Sequence, residues 1–283
     1  MGSHAGVSVQ PLPPRLLTSS MISSSTPPIL RDKHHDAPSA FTPESLLREA
    51  RRQKDLPDAA IPAVCILDPD GDIVRHLRAV GRARRAEAWA CYHSEMYRFE
   101  HGGREYGIVG CAVGASYAVL LAEQMFASGC RLLVSITSSG QIKALRPPPY
   151  FILIERALRD EGTSYHYLPA AAYADADPKL LATVGEALSG LSEPVERGTT
   201  WTTDAPYRET EAAIEAARAQ SILAVEMEAA ALYAFAQARA KPVLCFAHVT
   251  NQMGQTGDFE KGEANGATAS LALVHAVADA CRL

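Results

Sequence analysis

The chain lacks the cysteine patterns that define a disulfide scaffold or a structural zinc site. Its six cysteines, Cys65, Cys91, Cys111, Cys130, Cys245 and Cys281, are scattered over 283 residues, with no C-x-x-C pair and no histidine cluster at ligand spacing. Cys65, Cys111 and Cys245 lie in or beside apolar runs and read as small core residues of a reducing compartment. Aromatic residues are scarce at 7%, so the core has to be built from Ala, Leu, Val and Ile. No apolar run approaches the ~20 residues that span a bilayer, and no signal-peptide core stands near the start. Positive charge is in deficit: Lys plus Arg is 27 and Asp plus Glu is 32, a net charge of -5. That balance argues against a nucleic-acid or anionic-membrane partner. A soluble, cytoplasmic α/β protein is the expectation, long enough to bury a core without staples.

The pattern along the chain sharpens the fold class. Residues 1–37, rich in Ser, Thr and Pro, are read as a flexible tail in which Met1-Gly2-Ser3-His4 resembles an added leader and Met21 an alternative start. Residues 38–283 are read as one domain. Thr42 caps an expected helix over 43–53. A buried strand at 61–67 ends in Asp68-Pro69-Asp70-Gly71, a turn sequence. Helix at 73–80 and a hairpin of strands at 86–99 and 106–109 follow, with its turn at 101–104. Strand, the small turn Gly110 to Gly114, helix at 115–128, Gly129 and strand at 132–136 make a βαβ unit. Further strands are expected at 150–154, 195–201, 223–225 and 242–249, and helices at 178–189, 208–220, 228–240 and 267–280. The fold expected is a single three-layer α/β/α domain with a central mixed sheet, ligand sites lying at strand C-termini.

Polar residues follow apolar strands at four places: Asp68-Pro69-Asp70-Gly71-Asp72, Thr137-Ser138-Ser139-Gly140, Val225-Glu226-Met227-Glu228 and Thr250-Asn251. Two acids at a helix start need no ligand, because the helix N-terminus favours negative charge. A carboxylate beside a thioether can also accept both hydroxyls of a sugar diol while the methionine packs on the ring.

The run from Val225 to Tyr233, Val-Glu-Met-Glu-Ala-Ala-Ala-Leu-Tyr, resembles the ribose-binding signature of the nucleoside phosphorylase superfamily. The Gly110 to Gly114 turn, Ser138-Ser139-Gly140, Thr203-Asp204-Ala205-Pro206-Tyr207 and Val249-Thr250-Asn251 stand in the order of that family, and the similarity spans about Phe41 to Leu283. The resemblance implies that Met227 and Glu228 hold the ribose, with Glu226 beside them, and that Ser138, Ser139 and Gly140 border base and sugar. It implies base stacking near Pro206, where Tyr207 or Trp201 would have to serve, with Arg208, Tyr165 and His166 as polar neighbours. Asn251 matches the position of an aspartate that protonates a leaving purine. No cofactor and no metal is implied. The partner is a small-molecule nucleoside, and a homo-oligomer, a dimer or higher, is expected.

The departures from the family pattern set the chemistry. The positions of the phosphate-binding arginines fall at Gly71, Ser135 and near Tyr92, and the partner glycine at Leu67 or Asp68; of the phosphate ligands only the hydroxyl of Ser138 remains. Without a guanidinium fork the strongest phosphate hydrogen bonds are missing, and Asp68, Asp70 and Asp72 add negative charge to the same loop. Family hydrolases carry an acid in this loop that activates water. Asp72 aligns with it and Asp70 is the runner-up. Asn251 cannot donate a full proton, and Asp258 and Glu260 in the following Gly-rich loop are candidate acids. The Gln and Arg of uridine-type relatives fall at Thr210 and Ala212. The function expected is cleavage of an N-glycosidic bond with ribosyl transfer to water, slightly ahead of phosphate. A phosphorylase with an unusual phosphate site and a nucleoside-binding module without turnover are the alternatives.

Overall fold

The computed structural model describes residues 26–253 and 260–283. Its contacts divide the chain into Met1–Lys33 and His34–Leu283. In the first unit the described residues contain one 3-10 turn, Pro28–Leu30. The expected tail thus lies largely outside the described residues, as does Asp258.

Among the described residues, the second unit holds ten strands in one mixed sheet: β1 (Val64–Asp68), β2 (Arg84–Arg85), β3 (Tyr97–His101), β4 (Arg104–Gly110), β5 (Leu132–Gln141), β6 (Tyr150–Asp160), β7 (Tyr173–Asp175), β8 (Val195–Thr203), β9 (Ala224–Glu226) and β10 (Val243–Gln252). The described residues also form seven α-helices: α1 (Pro43–Lys54), α2 (Asp72–Ala79), α3 (Ala115–Ala127), α4 (Pro178–Gly185), α5 (Glu211–Ala219), α6 (Ala229–Arg239) and α7 (Ala267–Ala280). β1 lies between β4 and β5, parallel to both, and every one of its residues is buried. Burial on both faces is why this strand reads as a continuous apolar run. β10 pairs with both β5 and β6, so β5, β10, β6, β8 and β9 close into a ring, from which β1, β4, β3 and β2 extend as an open sheet.

Local chemistry explains the helix boundaries. Thr42 accepts from Ser45 N–H with Pro43 in the first turn, and Thr210 accepts from Ala213 N–H, which starts α5 later than the pattern alone placed it. Two differences bear on the site. Residues 86–96, expected as strand, form an irregular segment that buries Trp89, Cys91 and Met96. Residues 137–140, expected as a strand end, remain strand, because β10 and β9 satisfy their backbone.

Candidate active site

The loop after β1 is built by Asp68. Its carboxylate accepts from Gly71 N–H at 3.1 Å and Val74 N–H at 2.9 Å, and its carbonyl accepts from Gly71 and Cys111 N–H at 2.9 Å. Gly71 has φ +75, and a Cβ there would lie 2.7 Å from the Arg75 guanidinium, so the turn favours glycine. Burial, assisted by the charges of Asp70 and Asp72, pushes Asp68 up to about 7 against its backbone hydrogen bonds. Asp68 is therefore a turn former and helix cap.

The other two aspartates of the loop face different partners. Asp70 reaches β5: Ser138 N–H and Ser138 Oγ each donate to its carboxylate at 2.9 Å. Asp72 is held by Arg75 at 2.7 Å on one oxygen and by Lys261 Nζ at 2.6 Å on the other. Burial pushes Asp72 up, but the hydrogen bonds and charges of Lys261 and Arg75 outweigh it and hold the carboxyl below its usual range. Asp70, Asp72, Ser138, Lys261 and His248, with Ile73 and Ile136, line a cavity of about 10 Å³, the scale of a single water site. His248 is buried and stacked on Phe151 at 4.5 Å. Burial first, and the Lys261 charge second, push it down to about 4. Its Nε2 lies 3.3 Å from Glu193, whose carboxyl burial raises. The contact lacks hydrogen-bond geometry, and burial disfavours the charged form of each group.

Glu226 and Glu228, two positions apart at the β9–α6 junction, have unlike surroundings. Glu226 is fully enclosed: Thr200 and Thr202 hydroxyls and the Glu228 and Ala229 N–H groups all donate to it, and burial raises its pKa. Its acceptor capacity is filled inside the protein, which gives it the role of tying β8 and β9 to the start of α6. The oxygens of Glu228 accept from Gly114 N–H at 2.7 Å and Met227 N–H at 3.3 Å, with the Thr137 hydroxyl alongside. Burial, then the Glu226 charge, push Glu228 up to about 8, so it is largely protonated at neutral pH. Such a carboxyl can both donate to and accept from hydroxyl groups.

The remaining expected residues have separate surroundings. Met227 and Asn251 are part-exposed, and Thr250 Oγ1 donates to Asn251 Oδ1 at 3.3 Å beside a register shift in β10. Ser139 Oγ is buried with no hydrogen-bond partner among the described residues. Met253 covers Gly140: a Cβ there would lie 2.1 Å from the Met253 sulfur. Tyr207 is 99% exposed in the 3-10 turn Pro206–Arg208, and Arg208 is exposed beside it. Trp201 is buried with Ile142, Ile214 and Val225, its indole N–H bonded to Asp160 at 2.9 Å, so the ring is committed to the core. Tyr165 stacks on Arg159 and donates to its carbonyl, His166 sits in the turn Ser164–His166, and Glu260 is exposed. Two clefts of about 800 and 750 Å³ lie elsewhere, one beside Trp89, Tyr92 and Cys111, the other between Phe41 and Tyr167 with His166 in its lining.

Sequence reasoning missed Lys261, His248 and the two threonines. Thr200 and Thr202 had a signal, since alternate residues of a strand share a face. Lys261 had none, standing 189 residues from Asp72.

Acids, hydroxyls and backbone donors thus gather at the C-terminal ends of β1, β5, β9 and β10 in a mixed α/β sheet, the usual place for a small-molecule site in such a fold. The phosphorylase superfamily profile matches residues 64–279, and the chain belongs to that family. Among solved structures, uridine phosphorylase from Vibrio fischeri ES114 shares the fold at TM-score 0.64 and 19% sequence identity, over 79% of this chain and 93% of that one; the same values hold for its complex with 6-hydroxy-1-naphthoic acid. No curated protein sequence matches the chain.

Proposed function

We propose that the chain cleaves the N-glycosidic bond of a nucleoside or nucleoside-like compound and transfers the ribosyl group to water. The carrying observation is that Asp70 accepts from both donors of Ser138. The family resemblance assigns that hydroxyl to phosphate, and here a carboxylate of the chain already occupies it. A phosphate dianion brought to the same donors would meet Asp70 and Asp72 at close range, and the nearby cations, Arg75 and Lys261, are already bound to Asp72.

In this reading Glu228 holds the ribose 2′- and 3′-hydroxyls, Met227 packs on the sugar, and Ser138, Ser139 and Gly140 border the junction of sugar and base. As the bond from C1′ to the base nitrogen breaks, the sugar gains oxocarbenium character. The Asp70 carboxylate stabilises that charge and takes a proton from the attacking water. The geometry favours Asp70 over Asp72 as this base, because both Asp72 oxygens are bound to cations. Asn251 gives the leaving base a hydrogen bond, and the base takes its proton from solvent. Tyr207 and Arg208, exposed on the turn Pro206–Arg208, would meet the base or a neighbouring subunit of a cytoplasmic homo-oligomer. Free-base release is to be measured from a nucleoside panel with and without phosphate; release that vanishes without phosphate would sink the hydrolytic reading.

An amide at Asn251, where purine-cleaving relatives of the resembled family carry an acid, favours a second reading, a nucleoside-binding module without turnover. Thermal stabilisation by nucleosides with no product formed would select it.

A further inference from the structure

Lys261 stands between two acids of one loop. Its Nζ is 2.6 Å from Asp72 Oδ2 and 4.0 Å from Asp70 Oδ2. Arg75 holds the other Asp72 oxygen, while both Asp70 oxygens accept from Ser138. The side chains of Lys261 and Asp72 are 25% and 12% exposed, so solvent screens this pair less than an ordinary surface pair.

We propose that Lys261 is a positioning residue of this site: by binding Asp72 it neutralises the charge that would drive Asp70 off Ser138, and so sets which of the two carboxylates is presented to the reaction. Two carboxylates at this range disfavour joint ionisation unless a cation answers one of them. The groups that face the pair leave that task to few residues. Asp68, from β1, sits near 7 and carries part of a charge at neutral pH. His248, from β10, is neutral there. Ser138 from β5, Asn265 and Ser270 carry no charge. Arg75 and Lys261 are the cations in contact, and both are bound to Asp72. Asp70 is thereby left to the hydroxyl and amide of Ser138. The positioning role rests on the proposed hydrolysis; the charge coupling between Lys261 and Asp72 does not.

The test is a double-mutant cycle in the full chain with Lys261→Met, Asp72→Asn and the pair together, and with Lys261→Arg as the conservative variant. Nucleoside cleavage and Tm are followed from pH 3 to 8. Lys261→Met is expected to lower kcat by about tenfold or more, at a nearly unchanged KM, and Lys261→Arg to keep most of the activity. Adding Asp72→Asn to Lys261→Met is expected to recover most of the loss, since the repelling charge is gone. A residue that merely anchored its own segment would show no such recovery. Because Asp72 is held below its usual range, the stabilisation it draws from Lys261 is present at neutral pH and disappears on acidification below about pH 4. The Tm gap between wild type and Lys261→Met should therefore close at low pH, and it should be absent in the Asp72→Asn background. An equal Tm loss at pH 3 and pH 7, or with and without Asp72, overturns the coupling. A coupling in Tm with no change in kcat overturns the positioning role. A wild type that releases no base removes the hydrolytic reading, and the positioning role with it, while the Tm cycle still decides the charge coupling.

Discussion

Asp70 and Ser138, 68 residues apart in the chain, are joined by two hydrogen bonds of 2.9 Å that use both donors of the serine. Removing the carboxylate empties those donors. In Asp70→Gly we expect millimolar phosphate or sulfate to stabilise the protein by ~1 kcal/mol, a rise of about 2–4 °C in Tm, and to leave the wild type unchanged. Equal shifts in both proteins would show that Asp70 does not occupy an anion position. Asp70→Asn keeps the shape and loses the base, and base release should fall by about 10²-fold or more.

Glu228 gives a pH signature in stability. Its carboxyl is raised from the usual range to about 8, so the folded state binds a proton that the unfolded state has released between those values. Stability therefore falls as pH rises across that window. Glu228→Gln cannot ionise, and the variant should match the wild type near pH 4 and exceed its Tm at pH 8 to 9. Melting curves at five or six pH values suffice, and parallel curves for the two proteins would refute the assignment. The same substitution removes the carboxyl proposed to hold the ribose, and cleavage at full rate would refute that role.

The buried Glu226 depends on hydroxyl donors. Thr202→Val removes a donor to Glu226 and an acceptor for Ala230 N–H, both inside the protein. The expected cost is about 1–3 kcal/mol, read in urea unfolding as a lower midpoint at an unchanged slope. A midpoint within error of the wild type would mean that Thr200 and the backbone alone satisfy the carboxylate.

Asn251 sets the help given to the leaving base. Asn251→Asp supplies a proton donor at the end of β10, and general-acid assistance is typically worth ~10²–10⁴-fold. Purine nucleosides, which depart best when protonated, should gain about tenfold or more over pyrimidine nucleosides. A panel of both classes on the two proteins checks this; an unchanged ratio would place Asn251 away from the base.

How much of this was legible in the sequence differs by interaction range. Strand β1 and helix α3 carry their own periodicity and turn residues; α3 lies within one residue of expectation at both ends, while β1 ends within one residue of it and starts three residues later. The acids of the first loop and the Glu-Met-Glu run were visible as polar residues after apolar strands. Their division of labour was not. Nothing in Asp70-Gly71-Asp72 says which carboxylate meets Ser138, because that is set by Lys261 and β5, far away in sequence. Trp201 misled for a related reason: an indole reads the same whether it faces a ligand or the core, and only the fold gives its N–H to Asp160. The closure of β10 onto β5 also escaped, since a strand's pattern records which faces are buried and not how many neighbours it has.

That closure makes β5 a party wall. It hydrogen-bonds to β1 on the open-sheet side and to β10 and β9 on the ring side. Ser138 meets the acid of the β1 loop, and the adjacent Thr137 meets Glu228, carried in from β9. Successive residues of a strand advance by roughly 3.3 Å and point to opposite faces. Two adjacent residues of one strand thus contact the acid proposed as base and the acid proposed to hold the sugar. Connecting loops elsewhere can lengthen or shorten without altering those two contacts, whereas a one-residue slip in β5 would exchange its two faces and break both at once.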